Sequence, residues 1–122
     1  MKTKLDEKNL IGPPVRQYLE AIRTRNAEGF AESFAAEAVV NDAGREIRGL
    51  TAIRKWAEDE IFAVEVTLEI VEAAQRDGET ILTVKIDGAF DRTGLPDPLL
   101  MDHCFTLAQG KITALACRFA QK

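Results

Sequence analysis

The sequence AVEVTLEIVEAAQRDGETILTVKIDGAF, residues 63–90, marks a change in the spacing of the apolar side chains. Apolar and polar residues alternate over residues 64–70 and again over 82–86, and Arg-Asp-Gly separates the two runs. Alternation with a period of two is typical of a β-strand with one buried face, and the glycine-containing tripeptide is typical of a turn. The stretch therefore predicts two long antiparallel strands joined by a turn.

Upstream of these strands, the apolar residues follow helical spacing. Residues 12–26 begin with Gly-Pro-Pro, and proline is well suited to the first turn of a helix. Asn26 has the side chain of an N-cap for a second helix over residues 27–37, and a third helix is predicted over 50–62. Between the last two helices, residues 38–44 have the pattern of a short strand that enters a turn.

Downstream, residues 99–108 and 111–120 predict two more strands, after a loop over residues 91–98 that is rich in turn formers. Helices followed by strands are typical of an α+β fold, here with three N-terminal helices packed on a curved, mainly antiparallel sheet. A curved sheet around helices leaves a conical cavity between the two layers, which is the expected ligand pocket.

Composition narrows the possible functions. The 122 residues carry a formal net charge of −4 and no basic stripe, which argues against a nucleic-acid partner. No apolar run is long enough to span a bilayer, and the charged N-terminus does not resemble a signal peptide, so we expect a cytoplasmic protein. We predict an N-terminal arm over residues 1–11 and one domain over 12–122. Cys104 and Cys117 are expected to be free thiols, and the single histidine, His103, gives no basis for a metal site.

One acidic residue lies within an apolar strand, in the sequence LLMDHCFTL of residues 99–107. Because side chains alternate along a strand, Asp102 and His103 point to opposite faces. We expect Asp102 to face the cavity and His103 to face a second packing surface, which would be a dimer interface. Two other polar side chains can meet Asp102 in the cavity: Tyr18 on the core face of the first helix and Asp42 at the end of the first strand.

A phenol and two carboxylates in an apolar pocket predict acid–base chemistry without a metal or a cofactor. Burial favours the neutral form of one carboxyl group, which can then donate a hydrogen bond beside the phenol to a developing oxyanion. The better-solvated carboxylate stays ionised and can accept a proton. The expected apolar walls of this pocket are Val15, Leu19, Phe34, Trp56, Leu82, Val84, Ile86, Phe90, Leu115, Cys117 and Phe119.

Three segments of the chain carry a resemblance to a known family: VRQYLEAIRTRNAEGFAESFAAEAVVND, IRGLTAIRKW and MDHCFTLAQGKITALACRF. Together they resemble the Δ5-3-ketosteroid isomerase group, within the superfamily of nuclear transport factor 2-like and SnoaL-like domains. The resemblance implies a cone-shaped α+β barrel (a cystatin-like roll), a homodimer formed through the outer sheet face, and a steroid isomerase activity that needs no cofactor. It also implies that Tyr18 and a protonated Asp102 are the oxyanion donors and that Asp42 is the general base.

Other interpretations of the same residues remain open. Tyr18 could be a core residue whose hydroxyl reaches solvent or a backbone carbonyl group, and Asp42 could serve only to form its turn. A SnoaL-like polyketide cyclase would use the same pocket for an aldol closure, whereas a small-molecule-binding or dimerisation module would need no turnover. Whether the loop over residues 91–98 covers the pocket is also open.

Overall fold

The computed structural model describes residues 11–120, which form three helices and one six-stranded sheet. The helices are α1 (Pro13–Thr24), α2 (Ala27–Glu32) and α3 (Leu50–Ala57), and α3 continues into a π-helical turn, Glu58–Phe62. The strands are β1 (Phe34–Asp42), β2 (Arg45–Arg48), β3 (Thr67–Arg76), β4 (Glu79–Asp87), β5 (Leu100–Ala108) and β6 (Lys111–Phe119).

The sheet runs in the order β2-β1-β6-β5-β4-β3, and every neighbouring pair is antiparallel except β1 and β6, which are parallel. The predicted α+β class is therefore confirmed, with three helices and a mostly antiparallel sheet. The sheet is open, with β2 and β3 at its edges, so it does not close into a barrel. The predicted arm lies outside the described residues apart from Ile11. Among the described residues, no helix is long and apolar enough to cross a membrane.

Two elements near the N-terminus differ from the prediction. The second helix ends at Glu32 rather than at residue 37, because Phe34 already pairs with Ile112 in the sheet. The strand β2 was not predicted; it forms a hairpin with β1 through a two-residue turn at Ala43 and Gly44, both with positive φ. A turn of this kind matches the twist of the strands that it joins.

The hydrophobic core lies between the helices and one face of the sheet, called here the inner face. From α1, Val15, Tyr18 and Ile22 reach this core, and Phe30 of α2 and Ile53 of α3 join them. These helix residues recur at three- and four-residue spacing, which explains why one stripe of each helix is buried.

Alternation along β5 assigns its residues to the two faces. Met101, His103 and Phe105 point to the inner face, while Asp102 and Cys104 point to the outer face. This is the opposite of the facing predicted from the sequence. The larger apolar side chains of β5 are those that fill the core, because burying them stabilises the fold most.

Candidate active site

A cavity of about 400 Å³ opens between the helical layer and the inner face of the sheet. Its wall is mostly apolar, with polar side chains at the floor and at the mouth. Its residues are Tyr18, Ile22, Asp42, Ala43, Trp56, Asp59, Glu60, Ile61, Val64, Val66, Leu68, Ile86, Phe90, Leu95, Leu99, Met101, His103, Cys117 and Phe119.

The residues predicted to form the pocket walls divide into three groups. The first lies on the wall and comprises Trp56, Ile86, Phe90, Cys117 and Phe119. The second is buried in the core away from the cavity and comprises Val15, Phe34, Leu82, Val84 and Leu115. The third is Leu19 alone, which lines a separate groove between α1 and β3. Leu95, from the loop over residues 91–98, also contributes to the cavity wall.

Asp42 lies at the end of β1, at the mouth of the cavity, with 23% of its side chain exposed. Its Oδ2 accepts hydrogen bonds from Trp56 Nε1 at 3.1 Å and from the guanidinium of Arg45 at 2.9 Å. Arg45 also donates to Glu60 at 2.6 Å, and these hydrogen bonds to Glu60 and Asp42 raise the pKa of Arg45. The carboxylate is thus oriented through one oxygen, and no hydrogen bond within the described residues uses Oδ1.

Tyr18 lies at the floor of the cavity and is 1% exposed. Its ring packs against Phe30 and Phe105, each with a centroid separation of 5.1 Å. Its hydroxyl oxygen is 3.5 Å from Nδ1 of His103. Burial raises the pKa of the phenol well above its usual value, so the hydroxyl keeps its proton at neutral pH.

His103 also lines the cavity, although the sequence placed it on the other face. Burial lowers its pKa to about 4, so the imidazole is neutral at physiological pH. The signal that could have identified it is the polarity of the two faces of β5. The face of His103 carries Met101 and Phe105, whereas the opposite face carries the polar Asp102 and Thr106.

Asp42 and His103 face the same cavity from two different strands. Asp42 pairs with Cys117 of β6, and Cys117 pairs with His103 of β5, so the three residues form one row across the sheet. Adjacent strands lie about 4.8 Å apart, which puts the Cα atoms of Asp42 and His103 about 10 Å apart. This spacing leaves room for a small molecule between a carboxylate and the Tyr18–His103 pair. Burial raises the pKa of Cys117 between them, so its thiol stays protonated.

Asp102 is not brought together with Tyr18 and Asp42. On the outer face, its carboxylate accepts a hydrogen bond from Thr83 Oγ1 at 2.6 Å, and it lies opposite Arg118 of β6. Arg118 in turn donates to the sulfur of Cys104 at 3.1 Å. A hydroxyl group, solvent and a nearby cation therefore surround the carboxyl that was expected in the dry pocket. Both cysteines are free thiols, and the described residues contain no group of three or more metal-ligating side chains.

Comparison with known proteins now identifies the family. Residues 15–115 match the model of the SnoaL-like domain. The chain belongs to the SnoaL-like domain family. The suspected membership of the superfamily that contains ketosteroid isomerases, nuclear transport factor 2-like proteins and SnoaL-like proteins is thereby confirmed. No curated protein shows significant similarity to this SnoaL-like domain.

Solved structures share the fold of this SnoaL-like domain. A provisionally named polyketide cyclase from Sinorhizobium meliloti is 26% identical, with a TM-score of 0.76 over 86% of this chain and 93% of the other. A Mycobacterium tuberculosis protein in complex with estradiol-17beta-hemisuccinate is 15% identical, with a TM-score of 0.72 over 88% and 91%. A provisionally named ketosteroid isomerase from Kribbella flavida is 11% identical, with a TM-score of 0.73 over 93% and 80%.

Proposed function

We propose that this SnoaL-like domain is a cofactor-independent enzyme that transfers a proton at a carbon next to a carbonyl group of an apolar small molecule. The observation that carries the proposal is that one apolar cavity contains an oriented carboxylate, Asp42, and a buried hydrogen-bonding pair, Tyr18 and His103. Of the two oxyanion donors implied by the family resemblance, Tyr18 has this position, whereas His103 occupies the place expected of Asp102.

The chemistry follows from the difference between the two ends of the cavity. Asp42 is partly solvated and hydrogen-bonded, and its free Oδ1 can accept a proton from the carbon beside the carbonyl group. The electron pair of the C–H bond moves into an enolate, whose oxygen lies at the Tyr18–His103 pair and is stabilised there by hydrogen bonding. Asp42 then returns the proton to a second carbon of the conjugated system, and the product is an isomer of the substrate.

A polyketide cyclase is the second candidate, and one observation favours it. The Sinorhizobium meliloti protein provisionally named as such is 26% identical over most of both chains, a higher identity than that of the Kribbella flavida isomerase homologue. The first step would be the same proton transfer to Asp42. The enolate carbon would then attack a second carbonyl group of the same molecule, forming a carbon–carbon bond as the π bond of that carbonyl group breaks. The resulting alkoxide oxygen would take the proton held by Asp42, which restores the carboxylate.

The test compares Asp42→Asn with Asp59→Asn, because both carboxylates line the cavity but only Asp42 is held by Trp56. The assays are isomerisation of 5-androstene-3,17-dione, followed by ultraviolet absorbance, and conversion of a panel of polyketide esters. Asp42→Asn is expected to lower kcat by about 10²- to 10⁴-fold, the usual contribution of a general base. Asp59→Asn should stay within about threefold of the unmodified protein, since an exposed rim charge has weak effects.

Two results would contradict the proposal. One is a folded Asp42→Asn variant with unchanged turnover, which would show that Asp42 is not the general base. The other is ligand binding without turnover of either substrate class and without any effect of Asp42→Asn, which would favour a binding module.

We also infer a homodimer formed through the outer sheet face. The helices share one core with the inner face of the sheet, so they do not cover its outer face. Half-buried small or apolar side chains occupy the outer face on three adjacent strands, among them Val39, Ala114, Ala116 and the buried Cys104. Partly buried small and apolar side chains of this kind suit a self-complementary two-fold contact.

A further inference from the structure

We propose that His103 is itself a catalytic residue: its Nε2–H donates the hydrogen bond to the carbonyl oxygen of the substrate, and Tyr18 is a positioning residue that selects this tautomer. The identity of the ligand group rests on the proposed function. The assignment of the His103 tautomer is independent of that function, because the tautomer is a property of the protein without ligand. The inference assigns the two members of the buried pair different tasks.

The hydroxyl proton of Tyr18 needs an acceptor inside the core. A buried hydroxyl group that donates to nothing is costly, so its proton must point to an acceptor. The ring is surrounded by Phe30, Phe34 and Phe105, whose side chains offer no oxygen or nitrogen. Within residues 11–120, the hydrogen-bond partner of the Tyr18 hydroxyl is Nδ1 of His103, at 3.5 Å. The Tyr18 hydroxyl therefore donates to Nδ1.

The ring proton of His103 has one available position. A neutral imidazole has one N–H and one acceptor nitrogen. With Nδ1 accepting from Tyr18, the proton resides on Nε2. The ring is neutral at physiological pH because burial outweighs the opposing influence of the carboxylates of Asp42 and Asp102.

The direction of Nε2 follows from the hydrogen bonds of the buried side chains. Among the described residues, no buried side-chain nitrogen or oxygen lacks a hydrogen-bond partner. The hydrogen bond of the His103 ring goes from Tyr18 to Nδ1, and His103 is part of the cavity wall. Nε2 therefore opens onto the cavity, where a carbonyl oxygen can accept its proton in a hydrogen bond. A neutral donor at this position stabilises an enolate without protonating it.

The chain is well suited to a direct test, because it contains one histidine and one tyrosine. In protein labelled with ¹⁵N-histidine, two-bond ¹H–¹⁵N correlation spectra at neutral pH report the protonation of each ring nitrogen. We expect Nδ1 to have the shift of an unprotonated nitrogen and Nε2 that of a protonated one. In Tyr18→Phe the acceptor loses its donor, and a measurable fraction of the Nδ1–H tautomer should appear. Protonated Nδ1 in the unmodified protein, or an unchanged tautomer ratio in Tyr18→Phe, would overturn the inference.

A matched pair of probes tests the donor role in the same spectra. Cyclohexenone carries a carbonyl group, whereas cyclohexene has the same ring without it. Cyclohexenone should move the Nε2–H resonance of His103, while cyclohexene should move only the methyl resonance of Met101 on the cavity wall. A shift of Met101 without a shift of Nε2–H on adding cyclohexenone would contradict the donor role. If neither compound moves Met101, the proposed function fails, and the tautomer measurement still decides the assignment of the free protein.

The kinetic readout separates the two residues once a substrate is known. His103→Leu removes the donor and should lower kcat by about 10²- to 10³-fold with little change in KM, as for loss of an oxyanion-hole donor. His103→Gln restores an N–H and should recover part of that loss. Tyr18→Phe should cost less than His103→Leu. The reverse order would show that Tyr18 itself donates to the substrate.

Discussion

At the scale of single residues, the cavity presents two polar groups in opposite environments. Asp42 is partly exposed and accepts hydrogen bonds from Arg45 and from Trp56 Nε1. His103 is 6% exposed, packs among aromatic rings and gives up its charge. A partly solvated carboxylate and a dry, neutral imidazole can act as base and hydrogen-bond donor in one pocket, as the proposed function requires.

The buried neutral histidine also predicts how stability depends on pH. Its pKa is about 4 in the folded protein against an ordinary value of 6.5, so the unfolded chain binds the proton more readily. The folding stability associated with the neutral His103 ring is therefore fully present above about pH 6.5. It is lost as the pH falls toward about 4. Between about pH 7 and about pH 5, this residue should cost the fold about 2 kcal/mol.

The measurement is urea unfolding at both pH values for the unmodified protein and for His103→Gln, which cannot titrate. Tyr18, Asp42 and Cys117 face the ring and are present in both proteins, so the difference between them isolates the histidine. An equal loss of stability in both proteins would contradict a neutral, buried His103.

At the scale of elements, the cavity mouth depends on how β4 leaves the sheet. Ala89 N donates to the carbonyl of Val64 at 2.7 Å, which ties the end of β4 to the segment before β3. A Cβ at Gly88 would lie 2.9 Å from the same Val64 oxygen and 3.1 Å from the ring of Phe90. Val64 and Phe90 are both cavity-wall residues, so glycine is required here for the wall to close.

Gly88→Ala is accordingly expected to destabilise the protein by about 2–4 kcal/mol and to weaken ligand binding, because backbone cannot yield as a side chain can. Gly94→Ala is the matched control. Gly94 has a φ of +82° but open space around its Cβ position, so that variant should lose only about 1 kcal/mol. Equal midpoints of urea unfolding for the two variants would show that the close contact with Val64 does not cause the loss of stability.

At the scale of the whole molecule, the two faces of the sheet have separate roles. The inner face and the helices enclose the cavity, while the outer face carries Ala116, Cys104 and the Asp102–Thr83 hydrogen bond. The site is built from a single chain, so association through the outer face would stabilise the fold without supplying a residue to the cavity.

The outer face can be tested by a charge placed at its centre. Light scattering after gel filtration should give about twice the 13.5 kDa chain mass for the unmodified protein and a single chain mass for Ala116→Arg. Thr51→Arg, on the exposed side of α3, is the control and should leave the mass unchanged. A dimer that persists in Ala116→Arg would contradict the proposed interface.

The sequence by itself determined the fold class, because the change of apolar spacing near residue 63 separates helices from strands without reference to tertiary contacts. It also predicted that Tyr18 and Asp42 face the cavity, the first from its place on the buried stripe of α1 and the second from its place at the end of β1. The hairpin strand β2 was not predicted from the sequence, because its four residues are mostly polar and are held by pairing with β1 alone.

Only the tertiary structure decided which face of β5 is buried. Both faces of that strand carry apolar residues, so alternation separates Asp102 from His103 but does not say which belongs inside. A reversal of one strand's facing exchanges every side chain between core and surface. Packing of Phe105 against Tyr18 in the core selected the bulkier set, which includes Met101, and His103 entered the cavity with it. The position of His103 opposite Asp42 is therefore a consequence of how volume is filled in the core, which local sequence patterns do not encode.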